Sequence, residues 1–366
     1  MKNLELKTRF RSASIFFVAV LALIVITTSC EKEEEILVPE QPMQDEAQLD
    51  IAATLEKITE DPDFFDFVYE GDAEIESEDA LKSGKYRYKR PTFGNLLYAL
   101  IKTDLFWTVV RNELTVFAPS DKAFKTFLKE NGFRSIRQVP KDLLKSVLLY
   151  HVVEGKVKSG DLENGFVPTL NGAAVKIDLT SGVMVNDATV EFADIHALNG
   201  VIHVIDKVLF PPTKNIVEIA GGDPNFSILV DALKAADKLG NAGFVSTLSS
   251  AGDFTVFAPT NAAFANLLNA LGVSDLDGVV SKIGVDGLTN VLKYHVVAGK
   301  RVYSSDLSDG DVVETFLSGS TFEVDFTEPA GIIDFNRNKA PFAANDIQAS
   351  NGVIHVIEEV ILPELP

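Results

Sequence analysis

Apolar positions in this chain follow two alternating periods, one helical and one strand-like, and the whole sequence of elements runs twice. FGNLLYALIKTDLF at 93–106 and FSILVDALKAADKL at 226–239 carry apolar residues at three- and four-residue spacing, the stripe of a helix lying on a core. TVFAP at 115–119, and again at 255–259, alternates as a short strand that proline ends. Ser120 or Thr260 then offers a side-chain oxygen to cap a helix that buries Phe124 or Phe264. KDLLKSVLLYHVV and GLTNVLKYHVV read as helices running straight into strands, with Tyr150–His151 and Tyr294–His295 at the junctions. There a local polar anchor fixes the direction in which the strand leaves.

The blocks recur in one order. TVFAPSDKAF matches TVFAPTNAAF, YHVVEGK matches YHVVAGK, and DIHALNGVIHVIDKVLFPP matches DIQASNGVIHVIEEVILP, at offsets of 140, 144 and 152 residues. The offset grows only between blocks, so the insertions fall in loops and the blocks are the framework. PPTKN at 211–215 divides the copies.

These blocks resemble the fasciclin-like domain, found in animal matrix adhesion proteins and in secreted bacterial proteins, and the resemblance covers nearly all of residues 90–366. It implies an α+β fold of two tandem domains, 90–212 and 213–366, each a β-sheet wedge or sandwich with helices packed along it. At its start the first copy departs from the pattern: GKYRYKRPTF stands where NIVEIAGGDPNF supplies a helical opening in the second. In animal members, Asp-Ile segments just before the last strand are implicated in integrin binding. Asp194 with Ile195 and Asp346 with Ile347 match them, which makes this rim a weak candidate for facing a ligand.

NGVIHVI, present at 199–205 and 351–357, carries a histidine in the middle of a strand. Asn-Gly between apolar runs predicts a two-residue type I′ hairpin. That register sets His203 opposite His196 with Asp194 on the same face, a set of metal-ligand types. The second copy argues against a metal, because the same register pairs His355 with Gln348. Val201, Ile205 and Leu209 share the histidine's face while Ile202, Val204 and Val208 cover the other, the pattern of a strand packed on both sides. His151, His203, His295 and His355, with Tyr150 and Tyr294, are accordingly framework residues, and neither a metal nor a cofactor is expected. DLSDGD at 306–311 lacks the full ligand ladder and terminal glutamate of a calcium loop and reads as a turn.

Charge and the leader change the picture. The formal charge is −20, with 53 acids against 33 bases, which disfavours nucleic acid as a partner. Lys2, Lys7, Arg9 and Arg11 precede the apolar run IFFVAVLALIVI at 15–26 and then TTSC, which resembles a bacterial lipoprotein signal at 1–29 with Cys30 as the acylated residue. Thr27 departs from that pattern. CEKEEE resembles an export signal that carries lipoproteins to the outer face of the outer membrane. Residues 30–50 read as an acidic tether. Residues 51–89 read as an acidic, then basic, extension in which IAATLEKI and FFDFVY have the pattern of short helices able to dock on the first domain.

The chain has no Walker-type glycine loop, no HExxH and no GxSxG. The expectation is a non-catalytic surface lipoprotein that binds an extracellular protein or polysaccharide and meets the membrane only through its lipid. The alternative is a glycan-capture accessory lipoprotein beside an outer-membrane importer. For it Tyr86, Tyr88, Phe93 and Trp107 are the candidate aromatics, with Phe93 and Trp107 expected to face the core.

Overall fold

Two seven-stranded sheets with helices packed along them make up the described residues, which are 49–61, 64–65 and 90–365 of a computed structural model. The first repeat contains α1 Ile51–Glu60, α2 Gly94–Lys102, α3 Phe106–Arg111, β1 Leu114–Pro119, α4 Asp121–Glu130, α5 Lys141–Tyr150 and β2 Val152–Glu154. After these come β3 Gly165–Pro168, β4 Ala174–Asp178, β5 Met184–Val185, β6 Ala188–Ala197 and β7 Gly200–Ile205. The second repeats the plan with α6 Ile216–Gly222, α7 Ser227–Gly240, α8 Phe244–Ser249, β8 Phe254–Pro259, α9 Asn261–Leu271 and α10 Leu276–Tyr294. Its remaining strands are β9 Val296–Ala298, β10 Val312–Glu314, β11 Thr321–Asp325, β12 Gly331–Ile333, β13 Lys339–Ala349 and β14 Gly352–Ile357. The strand orders are β2-β1-β7-β6-β5-β4-β3 and β10-β11-β12-β13-β14-β8-β9.

The NGVIHVI strand lies inside each sheet, third from one end, parallel to TVFAP on one side and antiparallel to the long strand before it on the other. All six residues of β7 and of β14 are buried. Ile202 and Val204 point into a core shared with the helices, whereas Ile205 joins Phe117, Val175, Ile177 and Val185 where the sheet curls over itself. The second repeat divides in the same way. Backbone bonds from Leu170 N–H to Val152 O (2.8 Å) and from Phe316 N–H to Val296 O (2.6 Å) tie the two ends of each curled sheet.

The Asn-Gly pair does not make the expected hairpin turn. Ala197 pairs with Gly200 and Ala349 with Gly352, so the loops are Leu198–Asn199 and Ser350–Asn351. In this register His196 faces Val201, and Gln348 faces Val353. The reason is that both residues have other work. A Cβ on Gly200 would lie 2.0 Å from the carbonyl oxygen of Leu114, and one on Gly352 2.2 Å from that of Phe254, so close approach of the parallel strand requires glycine. The Asn199 amide accepts from Ile51 N–H (2.9 Å) and donates to Val109 O (2.7 Å) and Asn112 O (2.8 Å). Asn351 likewise accepts from Ile216 N–H (3.0 Å) and donates to Leu248 O (2.7 Å) and Ser250 O (2.8 Å). One asparagine per repeat thus joins the start of the first helix to the end of a later one.

The same bond shows that α1 of the first repeat is the counterpart of α6 in the second. Ile51, Leu55, Ile58, Phe64 and Phe65 lie in one cluster with Leu114, Ile195 and Ile202. Residues 51–60, read from the sequence as part of an extension, are core of the first repeat. The basic stretch could not reveal this, because the helical opening sits well ahead of it.

Candidate functional site

Three of the buried histidines, His151, His203 and His295, are neutral two-point connectors. His151 Nδ1 lies 2.7 Å from Val147 O, an atom that can only accept, so this nitrogen carries the proton and Nε2 accepts from Leu209 N–H at 2.9 Å. His295 repeats the arrangement with Val291 O (2.7 Å) and Ile361 N–H (3.2 Å). Burial pushes both imidazoles down to about 4. His203 donates from Nε2 to Val157 O (3.0 Å) and accepts at Nδ1 from Asp194 N–H (3.2 Å), and His355 donates to Val302 O (2.8 Å). Burial lowers these two as well. Their rings stack on Phe117 and Phe257, at 5.6 and 5.2 Å between centroids. Tyr150 and Tyr294 donate to the carbonyls of Ala174 (2.8 Å) and Thr321 (2.6 Å) across the curled sheet.

The Asp-Ile pairs are engaged by the fold itself. Asp194 and Asp346 sit at bulges with positive φ of 60° and 62°. Their carboxylates accept from the backbone N–H of Ser159 (2.8 Å) and Ser304 (2.7 Å), and also from the hydroxyls of those serines. Although burial opposes ionisation, the Ser159 bonds hold the Asp194 carboxyl below the usual carboxylate range. Ile195 is fully buried in the core and Ile347 is half-buried against its counterpart. Asp194, Asp346 and Ile347 keep part of their surface exposed, whereas Ile195 does not. No group of three His, Cys, Asp or Glu side chains among the described residues is placed to hold a metal.

What the structure does bring together is a joint between the repeats. The ring of Phe166, on β3, stacks on Tyr303 with centroids 4.4 Å apart and planes 11° from parallel. Ala174 N–H, on β4, points at the Tyr303 hydroxyl (3.3 Å) and at Gln348 Oε1 (3.2 Å), and the hydroxyl donates to that same oxygen (3.1 Å). Ala174, Tyr303 and Val353 are buried together here. The opposite carbonyl of Ala174 takes the Tyr150 hydroxyl, so the joint connects directly to the first repeat's interior.

Beyond the joint, a groove of about 850 Å³ opens in the second repeat between β9, the segment 299–302 and β10. Asp306, Asp311, Glu314 and Lys300 line it. Arg301 also lines it, but its guanidinium is engaged by Asp253 (2.8 Å), Ala349 O (3.1 Å) and Ser350 O (2.9 Å). β9 and β10 are the end strands of their sheet, so the groove runs between two sheet edges.

A Fasciclin domain model matches residues 91–211 and 224–363. The chain belongs to the fasciclin-domain family. It is 40% identical over 162 residues to Protein sll1483 of Synechocystis, covering 44% of this chain and 81% of that protein. It is 31% identical over 254 residues to rabbit transforming growth factor-beta-induced protein ig-h3, and 30% identical over 264 residues to human periostin. Those matches take in 68% and 69% of this chain but only 35% and 29% of the two animal proteins, so the chain spans about a third of their length. Among solved structures, a FAS1 domain pair from the insect cell adhesion molecule fasciclin I matches with a TM-score of 0.37 and 21% identity over 72% of this chain and 92% of that one.

Of the aromatics singled out in the sequence, Phe93 is fully buried, whereas Trp107 is 59% exposed and not, as expected, turned to the core. The Arg111 guanidinium lies 4.9 Å over the indole and Phe106 abuts it edge-on at 5.5 Å. Cys30, Tyr86 and Tyr88 lie outside the described residues. Sequence reasoning missed the joint and the groove, because Phe166, Tyr303 and Gln348 stand between the repeated blocks or differ from their counterparts.

Proposed function

We propose that the chain is a non-catalytic cell-surface adhesion or extracellular ligand-binding lipoprotein, with Cys30 acylated at the outer membrane, an acidic tether after it, and the two fasciclin domains held outward. The observation that carries this reading is how the polar groups are used. The framework histidines and the two bulge aspartates are spent on internal hydrogen bonds, whereas the groove beside β10 is open, charged and edged by the two end strands of its sheet. Such a groove suits recognition of an extended chain, protein or polysaccharide, more than bond-making chemistry. Fasciclin-domain homologues are adhesion or extracellular proteins, in keeping with this reading. Among the described residues no helix is long and apolar enough to cross a membrane, and the lipid on Cys30 supplies the attachment in this account.

Glycan capture is the second reading, and exposed Trp107 favours it. One face of the indole is occupied by Arg111, so it offers a single open face and not a platform. Immobilised Asp45–Pro366 screened against polysaccharides and matrix proteins tests both readings. Saturable binding lost on Glu314→Lys supports the groove, and binding lost on Trp107→Ala supports the glycan reading. Blank surfaces throughout would count against both.

A further inference from the structure

The joint between the fasciclin domains is heterologous, since the β3–β4 end of domain one meets a shoulder of domain two made by Tyr303, Gln348 and Val353. Because the domains are copies, each also owns the surface that the other uses. The internal bonds fix the equivalences. Ser159 and Ser304 bind the matching aspartates, so Lys158 stands where Tyr303 does. His196 faces Val201 as Gln348 faces Val353. Leu170 and Phe316 make the matching sheet-closing bonds, so Val312 stands where Phe166 does. The β10–β11 end of domain two and the Lys158 shoulder of domain one are thus the two halves of a joint, left at opposite ends of the pair.

We propose that the chain associates head to tail with a second copy of itself, the β10–β11 end of one domain two docking on the Lys158–His196 shoulder of the next chain's domain one.

Three observations say that a second copy fits. The β10 end carries Val312, 66% exposed, and the β6–β7 loop next to the shoulder carries Leu198, 59% exposed, so an apolar side chain is available on each half. Around Val312 the groove is lined by Asp306, Asp311 and Glu314 against Lys300, which has no acidic partner among the described residues, and the engaged Arg301. Lys156 lies against Leu198, its Nζ held by Leu198 O (3.0 Å) and Glu113 (3.2 Å), and exposed Lys158 and His196 stand where Tyr303 and Gln348 do in domain two. Acid therefore meets base. Finally, a heterologous contact between equivalent surfaces is not self-limiting, so the geometry used once inside the chain continues from chain to chain. Inside the chain the joint is aromatic and buried. Between chains Lys158 replaces Tyr303 and Val312 replaces Phe166, which makes that joint weaker and sensitive to salt.

The inference uses the groove that the proposed function gives to a ligand, but its test needs neither ligand nor anchor, so its failure and that of the proposed function are read separately. Sedimentation of Asp45–Pro366, up to about 1 mM, reads it directly. The expected result is concentration-dependent association that salt weakens. Lys158→Glu and Val312→Asp, both at exposed sites, should each raise the apparent dissociation constant by about tenfold or more, while Leu239→Asp on a remote helix leaves it unchanged. A mixture of the two blocked variants still fails at their mutated ends, yet each retains one intact half, so the mixture recovers a one-to-one dimer and nothing longer. An isologous dimer would survive one of the two substitutions and overturn the proposal, as would a monomer at every concentration. A chain from residue 31 that stays monomeric where the shorter one associates would show the acidic segment covering the shoulder, and would overturn it for the native protein.

Discussion

The imidazole of His151 and the backbone N–H of Leu209 share a 2.9 Å hydrogen bond across 58 residues of sequence, and His295 holds Ile361 in the same way. Each bond joins a helix-to-strand junction to the segment that leaves the NGVIHVI strand, and each exists only while the ring is neutral. Burial moves these histidines from 6.5 to about 4 on folding. The folded pKa is the lower one, so their contribution is fully present above pH 6.5 and is lost as pH falls through about 4. Each site is worth on the order of 3 kcal/mol. Urea midpoints should therefore already fall between pH 7 and about pH 5, above the range around 3.8 where the unfolded chain protonates carboxyls that the fold holds low, such as Asp194 and Asp121. Midpoints that stay level across this window would contradict the assignment.

Asn351 should be more sensitive to charge than to truncation. Asn351→Ala removes three hydrogen bonds from a buried site and should cost about 3 kcal/mol. Asn351→Asp keeps the acceptor for Ile216 N–H but aims a carboxylate at the carbonyls of Leu248 and Ser250, so it should be the worse of the two. Thermal unfolding ranks the variants.

Gly352→Ala should be far costlier than an alanine in a strand ordinarily is. Its Cβ would meet Phe254 O at 2.2 Å and Ile216 Cδ1 at 2.7 Å, and the carbonyl belongs to the neighbouring parallel strand, which cannot yield alone. A loss of more than about 3 kcal/mol, or no soluble protein, is expected. Gly221→Ala, with nothing within 4 Å, is the control that should be tolerated.

Tyr303 carries the joint between domains. Tyr303→Phe keeps the stack on Phe166 and should cost about 1 kcal/mol, whereas Tyr303→Ala loses stack and hydrogen bonds and should cost about 2–3 kcal/mol of coupling. Calorimetry should show the alanine variant melting as two separated transitions where the wild type melts as one.

Much of this fold was legible because packing repeats itself. TVFAP, the Tyr-His junctions and NGVIHVI are set by the inner strands, and two copies fix their order and the loops between them. The helix caps at Ser120 and Thr260 followed from side-chain chemistry alone. The Asn-Gly pair misled because its turn propensity is real, but the amide of Asn199 gains more as a clamp and Gly200 is needed against Leu114. The start of the first domain was hidden for a related reason. Ile51–Glu60 reaches the core across a long insertion, so proximity in sequence gave no sign of it. At the Asp-Ile pairs alternation says which residues share a face, but not that a bulge folds Asp194 onto Ser159 and buries Ile195.

The central proposal is a folded fasciclin pair displayed outside the cell that binds without chemistry. The most direct measurement is retention of cells bearing the full chain on surfaces coated with polysaccharides or matrix proteins, compared with cells bearing Cys30→Ser or Asn351→Asp. Retention on at least one surface, abolished by either substitution, is the predicted result. Equal retention by all three strains, or none on any surface, would contradict it.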